Sequence, residues 1–340
     1  MDKAYRIALV GATGLVGREM IQGLEERGFP IEELVLLASE RSAGEEIEFR
    51  GKMHRVHAIA MDHFAHIDIA IMSAGSSVSE EWAPIATSQG AVVIDNSSKW
   101  RMDPDIPLVV PEVNPEDIGQ YATKGIIANP NCSTIQMVVA LAPLHQKAQL
   151  KRVVVSTYQA VSGAGRQGME ELSTQVTDLF NQRDAVCEVF SSRIAFNCIP
   201  QIDVFMESGF TKEEEKMIYE TRKIMHLPEL GVCPTCVRVP IFNGHSESIS
   251  AEFEHPLDVD DAQEAFKKAP GILVLDDRAS NSFPTALSAE GNDSTYLGRI
   301  RKDPSVPHGL SFWCVADNLR KGAATNAIQI AELLIREHLK

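Results

Sequence analysis

The stretch Tyr5-Arg-Ile-Ala-Leu-Val10-Gly11-Ala-Thr-Gly14-Leu-Val-Gly17 decides the fold that we predict. Its first six residues are mostly apolar, as in a buried strand, and an amphipathic helix over 18–27 follows the glycine turn. Glycines at this point let the backbone turn sharply and let a pyrophosphate rest on the helix N-terminus. The pattern therefore predicts a dinucleotide site. Its residues are Gly11, Thr13, Gly14, Leu15, Val16 and Gly17.

Short apolar runs continue the alternation of strands and helices through the first third of the chain. Runs over 34–38, 67–72 and 91–94 suit buried parallel strands. This order predicts an α/β fold with an N-terminal Rossmann-type, doubly wound parallel sheet.

Longer and half-polar strands are expected later in the chain, which predicts an α+β domain with a mixed sheet. The predicted strands span 151–159, 248–255, 272–275, 295–301 and 310–316. A helix over 322–338 is apolar on most faces, so we place it back against the first domain. We predict a dinucleotide-binding domain over 1–130 plus 318–340, and a catalytic and dimerisation domain over 131–317.

Composition narrows the classes of partner. The chain has 340 residues and a net charge of −15, which argues against nucleic acid and anionic membranes as partners. Its apolar runs fall short of the roughly 20 residues of a membrane span, and its start is typical of a first strand, not of a signal peptide. Six scattered cysteines fit a reducing cytoplasm. The pair Cys233 and Cys236 is one half-site for zinc, so we predict no metal.

The residues after the second predicted strand bear on the choice of dinucleotide. Ser39, Arg41 and Ser42 suit a 2′-phosphate, which favours NADP, although Glu40 leaves NAD open.

A second motif, Asn129-Pro-Asn131-Cys132-Ser-Thr134, places a cysteine at the start of a predicted helix. Backbone N–H groups and the helix dipole favour an anion at that point, and a thiolate is the reactive form of cysteine. Cys132 is therefore a candidate nucleophile, with a packed core cysteine as the alternative.

With these motifs in place, the chain closely resembles the aspartate-semialdehyde dehydrogenases over nearly its whole length. The resemblance rests on Gly-Ala-Thr-Gly-Leu-Val-Gly at 11–17, Ser-Ala-Gly-Ser-Ser-Val-Ser at 73–79, Asn-Ser-Ser at 96–98 before Trp-Arg at 100–101, Asn-Cys-Ser-Thr at 131–134, Tyr-Gln-Ala-Val-Ser-Gly-Ala-Gly at 158–165, Cys-Val-Arg-Val-Pro at 236–240 and Asn-Gly-His-Ser at 243–246. It implies reversible NADP-dependent reduction of aspartyl 4-phosphate to aspartate 4-semialdehyde with release of phosphate. That reaction belongs to lysine, threonine, methionine, isoleucine and diaminopimelate biosynthesis.

The same resemblance implies roles for individual residues. Cys132 is the nucleophile, His245 in a Gly-His-Ser turn is the acid/base, and Gln159 orients the acyl group. Substrate contacts fall to Arg238 for the α-carboxylate, to Glu213 for the amine, and to Arg101, Asn131 and Lys216 for phosphate. Glu213, Glu214 and Glu215 are consecutive, so which acid meets the amine stays open. Further cofactor contacts fall to Ser73, Ala74, Gly75, Ser162, Gly163 and Asn318.

Two rival functions differ in class. N-acetylglutamyl-phosphate reductase runs the same chemistry, but its cysteine turn usually carries Gly before the cysteine and an aromatic residue after it. A non-catalytic dinucleotide-binding homologue could lose the nucleophile or the base, whereas Cys132 and His245 are both present. For assembly, the strand-rich segment 248–316 predicts a homodimer, or a dimer of dimers, that joins through the mixed sheet.

Overall fold

A computed structural model describes residues 3–339 of the chain. These residues form two compact units. The first comprises the residues up to Asn131 together with those from Ala323 onward, and the second runs from Cys132 to Gly322.

The first unit is built on a seven-stranded sheet in the order β3-β4-β2-β1-β5-β6-β7, in which only the β3–β4 pair is antiparallel. Its strands are β1 (Tyr5–Val10), β2 (Ile31–Ala38), β3 (Glu46–Phe49), β4 (Lys52–Ala58), β5 (Ile69–Met72), β6 (Val92–Asp95) and β7 (Ile126–Ala128), and its α-helices are α1 (Leu15–Glu26), α2 (Ser76–Ser88) and α8 (Thr325–Glu337). The parallel order around β1 confirms the predicted Rossmann-type class.

Helices α1 and α8 pack against each other on this sheet. Gly23 of α1 lies against Ile328 of α8, where an added Cβ would come within 2.7 Å of the isoleucine Cδ1. Met20, Leu24 and Leu334 are fully buried in the same core. Each buried aliphatic side chain contributes about 1.5–3 kcal/mol through removal of apolar area from water.

The second unit is built on a six-stranded mixed sheet in the order β11-β12-β13-β10-β8-β9. Its strands are β8 (Leu150–Gln159), β9 (Gly231–Arg238), β10 (His245–Phe253), β11 (Ile272–Val274), β12 (Thr295–Asp303) and β13 (Gly309–Ala316), and its α-helices are α3 (Cys132–Ala148), α4 (Gly165–Phe180), α5 (Lys212–Ile224), α6 (Val259–Lys268) and α7 (Ala286–Ala289). The β8–β9 and β11–β12 pairs are parallel and the other pairs are antiparallel, as expected for a mixed sheet.

The two faces of the mixed sheet differ in burial. Alternate residues of β8, β10 and β13 point toward α3 and are buried on this inner face. The outer face keeps Tyr158 37% exposed, and its ring lies 5.3 Å from the half-buried Trp313. The inner face is therefore where the core and the candidate site lie.

Several element boundaries differ from the sequence-based predictions. His245 is the first residue of β10 and not part of a turn, because it already pairs with Ala316 of β13. Strands β3 and β4 form a hairpin with few buried residues. The last helix begins at Thr325, since residues 320–324 form a π-helical turn.

Candidate active site

Cys132 is the first residue of α3, as its motif predicts, and its side chain is half-buried. The first turn of α3 carries no acidic residue, so no carboxylate of that turn competes for the positive end of the helix. Gly322 packs against the cysteine, where an added Cβ would lie 2.9 Å from the Cys132 Cβ. The N-terminus of α3 therefore favours the thiolate form of Cys132, and Gly322 packs tightly against one side of the residue.

Strand register brings three predicted site residues together on the inner face. Gln159 of β8 pairs with Arg238 of β9. On the other side of β8, Ser246 pairs with Tyr158, which places His245 beside Gln159. We call Arg238, Gln159 and His245 the catalytic row; all three are buried.

The backbone of Ala160 orients two members of this row. Its N–H donates to Nδ1 of His245 at 3.1 Å, and its carbonyl accepts a hydrogen bond from Nη1 of Arg238 at 2.7 Å. One buried residue just beyond β8 therefore holds both the imidazole and the guanidinium in place.

Burial sets the charge state of His245. The side chain is fully buried, and this burial, together with the Arg238 cation, lowers the pKa of His245 to about 3, although Glu213 opposes the shift. The imidazole is therefore neutral near pH 7.

Arg238 lies within electrostatic reach of two anionic groups. Burial lowers the pKa of Arg238, while the Glu213 carboxylate and a Cys132 thiolate act in the opposite direction. A buried guanidinium needs such partners. Arg238 thus connects the cysteine at the start of α3 with the acid on α5.

The structure distinguishes the three consecutive acids. Glu213 is 5% exposed, and its Oε1 accepts a hydrogen bond from Nε2 of Gln159 at 3.4 Å. Glu214 serves the capping box of α5 with Thr211 and accepts the N–H of Cys236, whereas Glu215 accepts the hydroxyl of Ser208. Only Glu213 of the three contacts the catalytic row through these bonds.

Lys216 lies one turn from Glu213 and pairs with it at 3.0 Å, as their spacing predicts. Burial alone would lower the pKa of Lys216, but Glu213 and Asp203 together raise it. Asp203 accepts from the ammonium at 3.0 Å. Nothing in the sequence pattern pointed to Asp203, because it lies in an irregular segment.

Asn318 and Ser162 support the catalytic row from a neighbouring loop. Asn318 Oδ1 accepts the N–H of Gly244, the residue before His245, at 2.9 Å, and its Nδ2 donates to the Ser162 hydroxyl at 2.9 Å. Gly163 lies close to both Arg238 and His245, with no room for a larger side chain. An added Cβ there would lie 2.7 Å from Nη1 of the arginine and 3.4 Å from Nε2 of the histidine.

A second row of side chains lies on the inner face, two residues along each strand from the catalytic row. Cys236 pairs with Thr157, and Thr157 and Cys314 both pair with Glu247. Burial raises the pKa of the Cys236 thiol, so it stays protonated. Cys233 points to the opposite face of β9, because residues three apart on a strand alternate sides, and this pair cannot share a metal or a disulfide.

Glu247 is a carboxylic acid in this second row that no sequence pattern indicated. It is fully buried, and neither of its carboxyl oxygens makes a hydrogen bond to a described protein group. Burial raises the pKa of Glu247 well above its usual value, and the Gln136 side chain opposes the shift only in part. The carboxyl is therefore a proton-holding group beneath the catalytic row.

The glycine turn of the first unit fits a dinucleotide. Gly11 has φ +84°, and an added Cβ would meet the Ser73 carbonyl oxygen at 2.3 Å. Gly17 packs against the Gly11 carbonyl oxygen, which lies 2.2 Å from where a Cβ would be. Helix α1 begins at Leu15 without a side-chain cap or an acid in its first turn. Its N-terminal amides can therefore receive a pyrophosphate.

The other residues predicted for this pocket follow the carboxyl ends of β2 and β5. Ser39 precedes a single 3₁₀ turn over Glu40–Ser42, and Arg41 is exposed without an ion-pair partner among residues 3–339. Ser73, Ala74 and Gly75 follow β5, beside the turn at Gly11. Parallel strands end at one edge of a sheet, so these loops share that edge.

Two predicted phosphate ligands also belong to the first unit. Arg101 is buried, and it donates from Nε to the Asn129 carbonyl at 2.9 Å and from Nη2 to the Asn96 carbonyl at 2.8 Å. It thereby orders the turn that leads to Asn131, which is 6% exposed and directly precedes Cys132 in the chain.

Comparison with known proteins agrees with both units. Residues 6–121 match the semialdehyde dehydrogenase NAD binding domain, and residues 141–321 match the semialdehyde dehydrogenase dimerisation domain. The chain is therefore an oxidoreductase that binds a nicotinamide dinucleotide.

Full-length relatives define the family. The aspartate-semialdehyde dehydrogenase of Aquifex aeolicus is 58% identical, with 98% of this chain and 99% of that protein covered. The structure of aspartate semialdehyde dehydrogenase II from Vibrio cholerae complexed with ASA is 50% identical, covers 99% of this chain and 100% of that one, and superposes with a TM-score of 0.97. The Candida albicans enzyme with NADP is 25% identical, covers 98% of this chain and 99% of that one, and has a TM-score of 0.73. The chain belongs to the aspartate-semialdehyde dehydrogenase family.

Among residues 3–339, no helix is both long enough and apolar enough to span a bilayer.

Proposed function

We propose that the protein reduces L-aspartyl 4-phosphate to L-aspartate 4-semialdehyde with NADPH, reversibly, through a thioester on Cys132. The observation that carries this proposal is the placement of Cys132 at the N-terminus of α3, within electrostatic reach of Arg238 in the catalytic row. An acyl phosphate is open to attack by a thiolate, and the thioester divides one difficult step into two easier ones.

The charges in the second unit suit the two ends of an amino-acid substrate. The Arg238 guanidinium binds the α-carboxylate, and the Glu213 carboxylate binds the α-amine. Gln159 lies between them in the row and orients the acyl group. His245 serves the acyl oxygen as the acid/base of the reaction. Lys216, Arg101 and Asn131 supply the site of the phosphate, which is a product in one direction and a co-substrate in the other.

The dinucleotide is held by the glycine turn over 11–17 and by the loops over 39–42 and 73–75, with Ser162, Gly163 and Asn318 as further contacts. When bound, NADPH supplies the hydride that reduces the acyl carbon. The Ser39-Glu-Arg-Ser42 turn is built for a 2′-phosphate, because the exposed Arg41 has no competing carboxylate in an ion pair among the described residues. We place the protein in a reducing cytoplasm, where Cys132 stays reduced.

The nucleophile is tested by mass spectrometry of protein mixed with semialdehyde and NADP but without phosphate. We expect an acyl adduct on the Cys132 peptide, because phosphate is not present to release the acyl group. Cys132→Ser should form no adduct and should still bind NADP. Cys233→Ser, which alters an exposed cysteine on β9, is the matched control and should acylate normally. An adduct on another cysteine, or full activity in Cys132→Ser, contradicts the mechanism.

The dinucleotide preference is tested with Arg41→Ala. Losing an arginine–phosphate pair costs roughly 1.5–3 kcal/mol, which lowers the NADPH over NADH preference about tenfold to a hundredfold. Glu40→Ala is the comparison variant, because an NAD enzyme would use this acid on the ribose. An unchanged preference in Arg41→Ala, or a loss of NADH use in Glu40→Ala, contradicts the assignment.

The dimerisation domain is completed in our proposal by a second copy of this chain, seated on the outer face of the mixed sheet. Tyr158 and Trp313 form an aromatic pair on that face, and Trp313 lines a groove of about 480 Å³ together with Ser248 and Phe283. Aromatic residues are enriched at interfaces, and the matched domain is one of dimerisation. The assembly is a homodimer or a dimer of dimers.

The rival functions have less support. The Aquifex aeolicus aspartate-semialdehyde dehydrogenase matches 98% of the chain. Asn131 and Ser133 flank the cysteine where N-acetylglutamyl-phosphate reductases usually carry glycine and an aromatic residue. A non-catalytic homologue would not need a buried row with a neutral imidazole beside a guanidinium.

A further inference from the structure

One buried acid on the inner face of the mixed sheet has no role in the chemistry proposed above. Glu247 lies two residues along β10 from His245 and is fully buried. Neither of its carboxyl oxygens makes a hydrogen bond to a described protein group. A leucine would fill this place at lower cost, because an apolar side chain needs no polar partner. The presence of an acid here therefore needs an explanation other than packing.

The partner that suits this acid is the carboxamide of Gln136 on α3. Gln136 is 1% exposed, and its side chain lies close enough to Glu247 to oppose, in part, the rise of the Glu247 pKa. Its Nε2 also makes no hydrogen bond to a described protein group. A carboxamide and a neutral carboxylic acid each carry a donor and a carbonyl acceptor, so they can form two reciprocal hydrogen bonds. A small rotation of either side chain completes this pair.

The groups that surround Glu247 keep its carboxyl neutral. The titratable side chains that face it from neighbouring strands are the thiols of Cys314 on β13 and Cys236 on β9, and burial raises the pKa of both. Thr157 on β8 and Gln136 on α3 add uncharged polar groups. No basic side chain among residues 3–339 contributes to the shift of the Glu247 pKa. The carboxyl therefore stays protonated and can donate through its O–H.

Gln136 lies one helical turn after the nucleophile. Cys132 begins α3, and residues four apart on a helix share one face. The α-helical ladder also places the N–H of Gln136 on the carbonyl of Cys132. The carbonyl of Gln136 accepts the thiol of Cys314 at 3.7 Å, so this part of α3 already contacts β13. A contact from the Gln136 side chain to β10 adds a second point at which the sheet holds the start of α3.

We propose that Glu247 is a positioning residue, which pairs as a neutral acid with the Gln136 carboxamide and thereby holds the first turns of α3, and Cys132 with them, against β10. This inference rests on the proposed function, because it treats Cys132 as the nucleophile. It leaves every role assigned there unchanged, including the acid/base role of His245. Glu247 touches no substrate and acts only through the helix.

The positioning role is tested by steady-state kinetics of two variants of the full-length protein. Glu247→Leu removes the pair, and we expect kcat to fall about 10–100-fold with KM within about threefold of wild type, because only the attack position of the sulfur changes. Glu247→Gln keeps neutral hydrogen-bonding groups and should retain kcat within about threefold. An unchanged kcat in Glu247→Leu, or an equal loss in Glu247→Gln, overturns the proposal.

Gln136→Leu removes the other half of the pair. Its loss of kcat should match that of Glu247→Leu, and the double variant should lose no more than either single variant, because both changes break the same contact. Met137→Leu, a volume-conserving change at the next buried residue of α3, is the matched control and should keep wild-type kcat. Additive losses in the double variant overturn the proposal.

The pair itself is tested without turnover by infrared spectroscopy at about pH 7. The difference between wild type and Glu247→Gln should contain the carbonyl stretch of one protonated carboxyl. Gln136→Leu should shift that band, because a hydrogen bond to the carboxyl is lost. Carboxylate bands in the difference, or a band that Gln136→Leu leaves in place, overturn the proposal even if Glu247→Leu fails to fold. A shifted band together with a missing acyl adduct on Cys132 would count against the proposed function alone.

Discussion

At the residue scale, the site depends on a residue whose side chain does no chemistry. The backbone of Ala160 donates to His245 and accepts from Arg238. The two side chains come from different strands, so the backbone of one residue positions both of them. Its identity matters less than its position just beyond the end of β8. A substitution at Ala160 would act through size, whereas a shift of its backbone would move two functional groups together.

Glu247 yields a prediction on pH and stability. Burial raises its pKa above the usual 4.5, so the folded state keeps a proton that the unfolded chain releases as pH rises above this value. Stability is therefore lost with rising pH, by up to about 1.4 kcal/mol per pH unit, until the folded-state pKa is reached. Glu247→Gln does not titrate. We expect its urea unfolding midpoint to rise relative to that of wild type as the pH increases from about 5 to 8.

Glu252→Gln is the control for this experiment. Glu252 lies on the same strand but on the outer face, half-exposed and paired with Lys151 at 2.9 Å. Its unfolding midpoints should follow those of wild type at every pH. If Glu247→Gln also follows wild type, the buried carboxyl does not hold its proton as inferred.

At the element scale, the turn before α8 positions the nucleophile. Residues 320–324 form a π-helical turn, and π-turns often occur at functional sites. Gly322 in this turn lies against the first residue of α3. The start of one helix therefore depends on an irregular turn from nearly 190 residues later in the chain.

Gly322→Ala should impair catalysis without unfolding the protein. Its Cβ would lie 2.9 Å from the Cys132 Cβ and 3.4 Å from its Cα, so the cysteine must move. A shift of this kind lowers kcat by roughly 10–100-fold, because the sulfur leaves its attack position. Steady-state kinetics and the melting temperature measure the two effects.

Gly231→Ala provides the comparison. The nearest atom to its added Cβ is Cγ of Arg152 at 3.5 Å, an ordinary contact, and Gly231 lies outside the site. It should keep wild-type kinetics. Normal kcat in Gly322→Ala would mean that the packing around Cys132 is not a constraint on the reaction.

At the scale of the whole molecule, the two sheets serve different purposes. The parallel strands of the first unit are buried along most of their length, and their carboxyl ends present loops for a dinucleotide. The mixed sheet carries the catalytic row on its inner face and leaves the outer face open. An exposed face with an aromatic pair favours aggregation of a monomer, whereas a dimer can bury it at its interface.

We expect a solution mass of at least twice the 37.3 kDa of one chain, measured by light scattering on a sizing column at micromolar concentration. Trp313→Glu should shift the equilibrium toward monomer, because a charge on the outer face cannot be buried without a partner. Met61→Glu, at a 60% exposed apolar residue of the first unit, is the control and should leave the mass unchanged. A monodisperse mass near 37 kDa for wild type rules the dimer out.

The sequence by itself determined the Rossmann-type class, the mixed-sheet class of the second domain and the family, because these depend on local signals. The glycine turn over 11–17 needs no distant residue to be recognised, and Cys132 at a helix start follows from the residues beside it. Two helical neighbours such as Glu213 and Lys216 are likewise paired by spacing alone.

Only the tertiary structure decided which groups face one another across strands. Register placed His245 beside Gln159, turned Glu213 rather than Glu214 or Glu215 toward the row, and buried Glu247 beneath it. The His245 ring accepts a hydrogen bond from the N–H of a residue 85 positions away. Such facts lie outside the reach of sequence patterns, because strand pairing is non-local and a shift of one residue would turn every side chain to the opposite face.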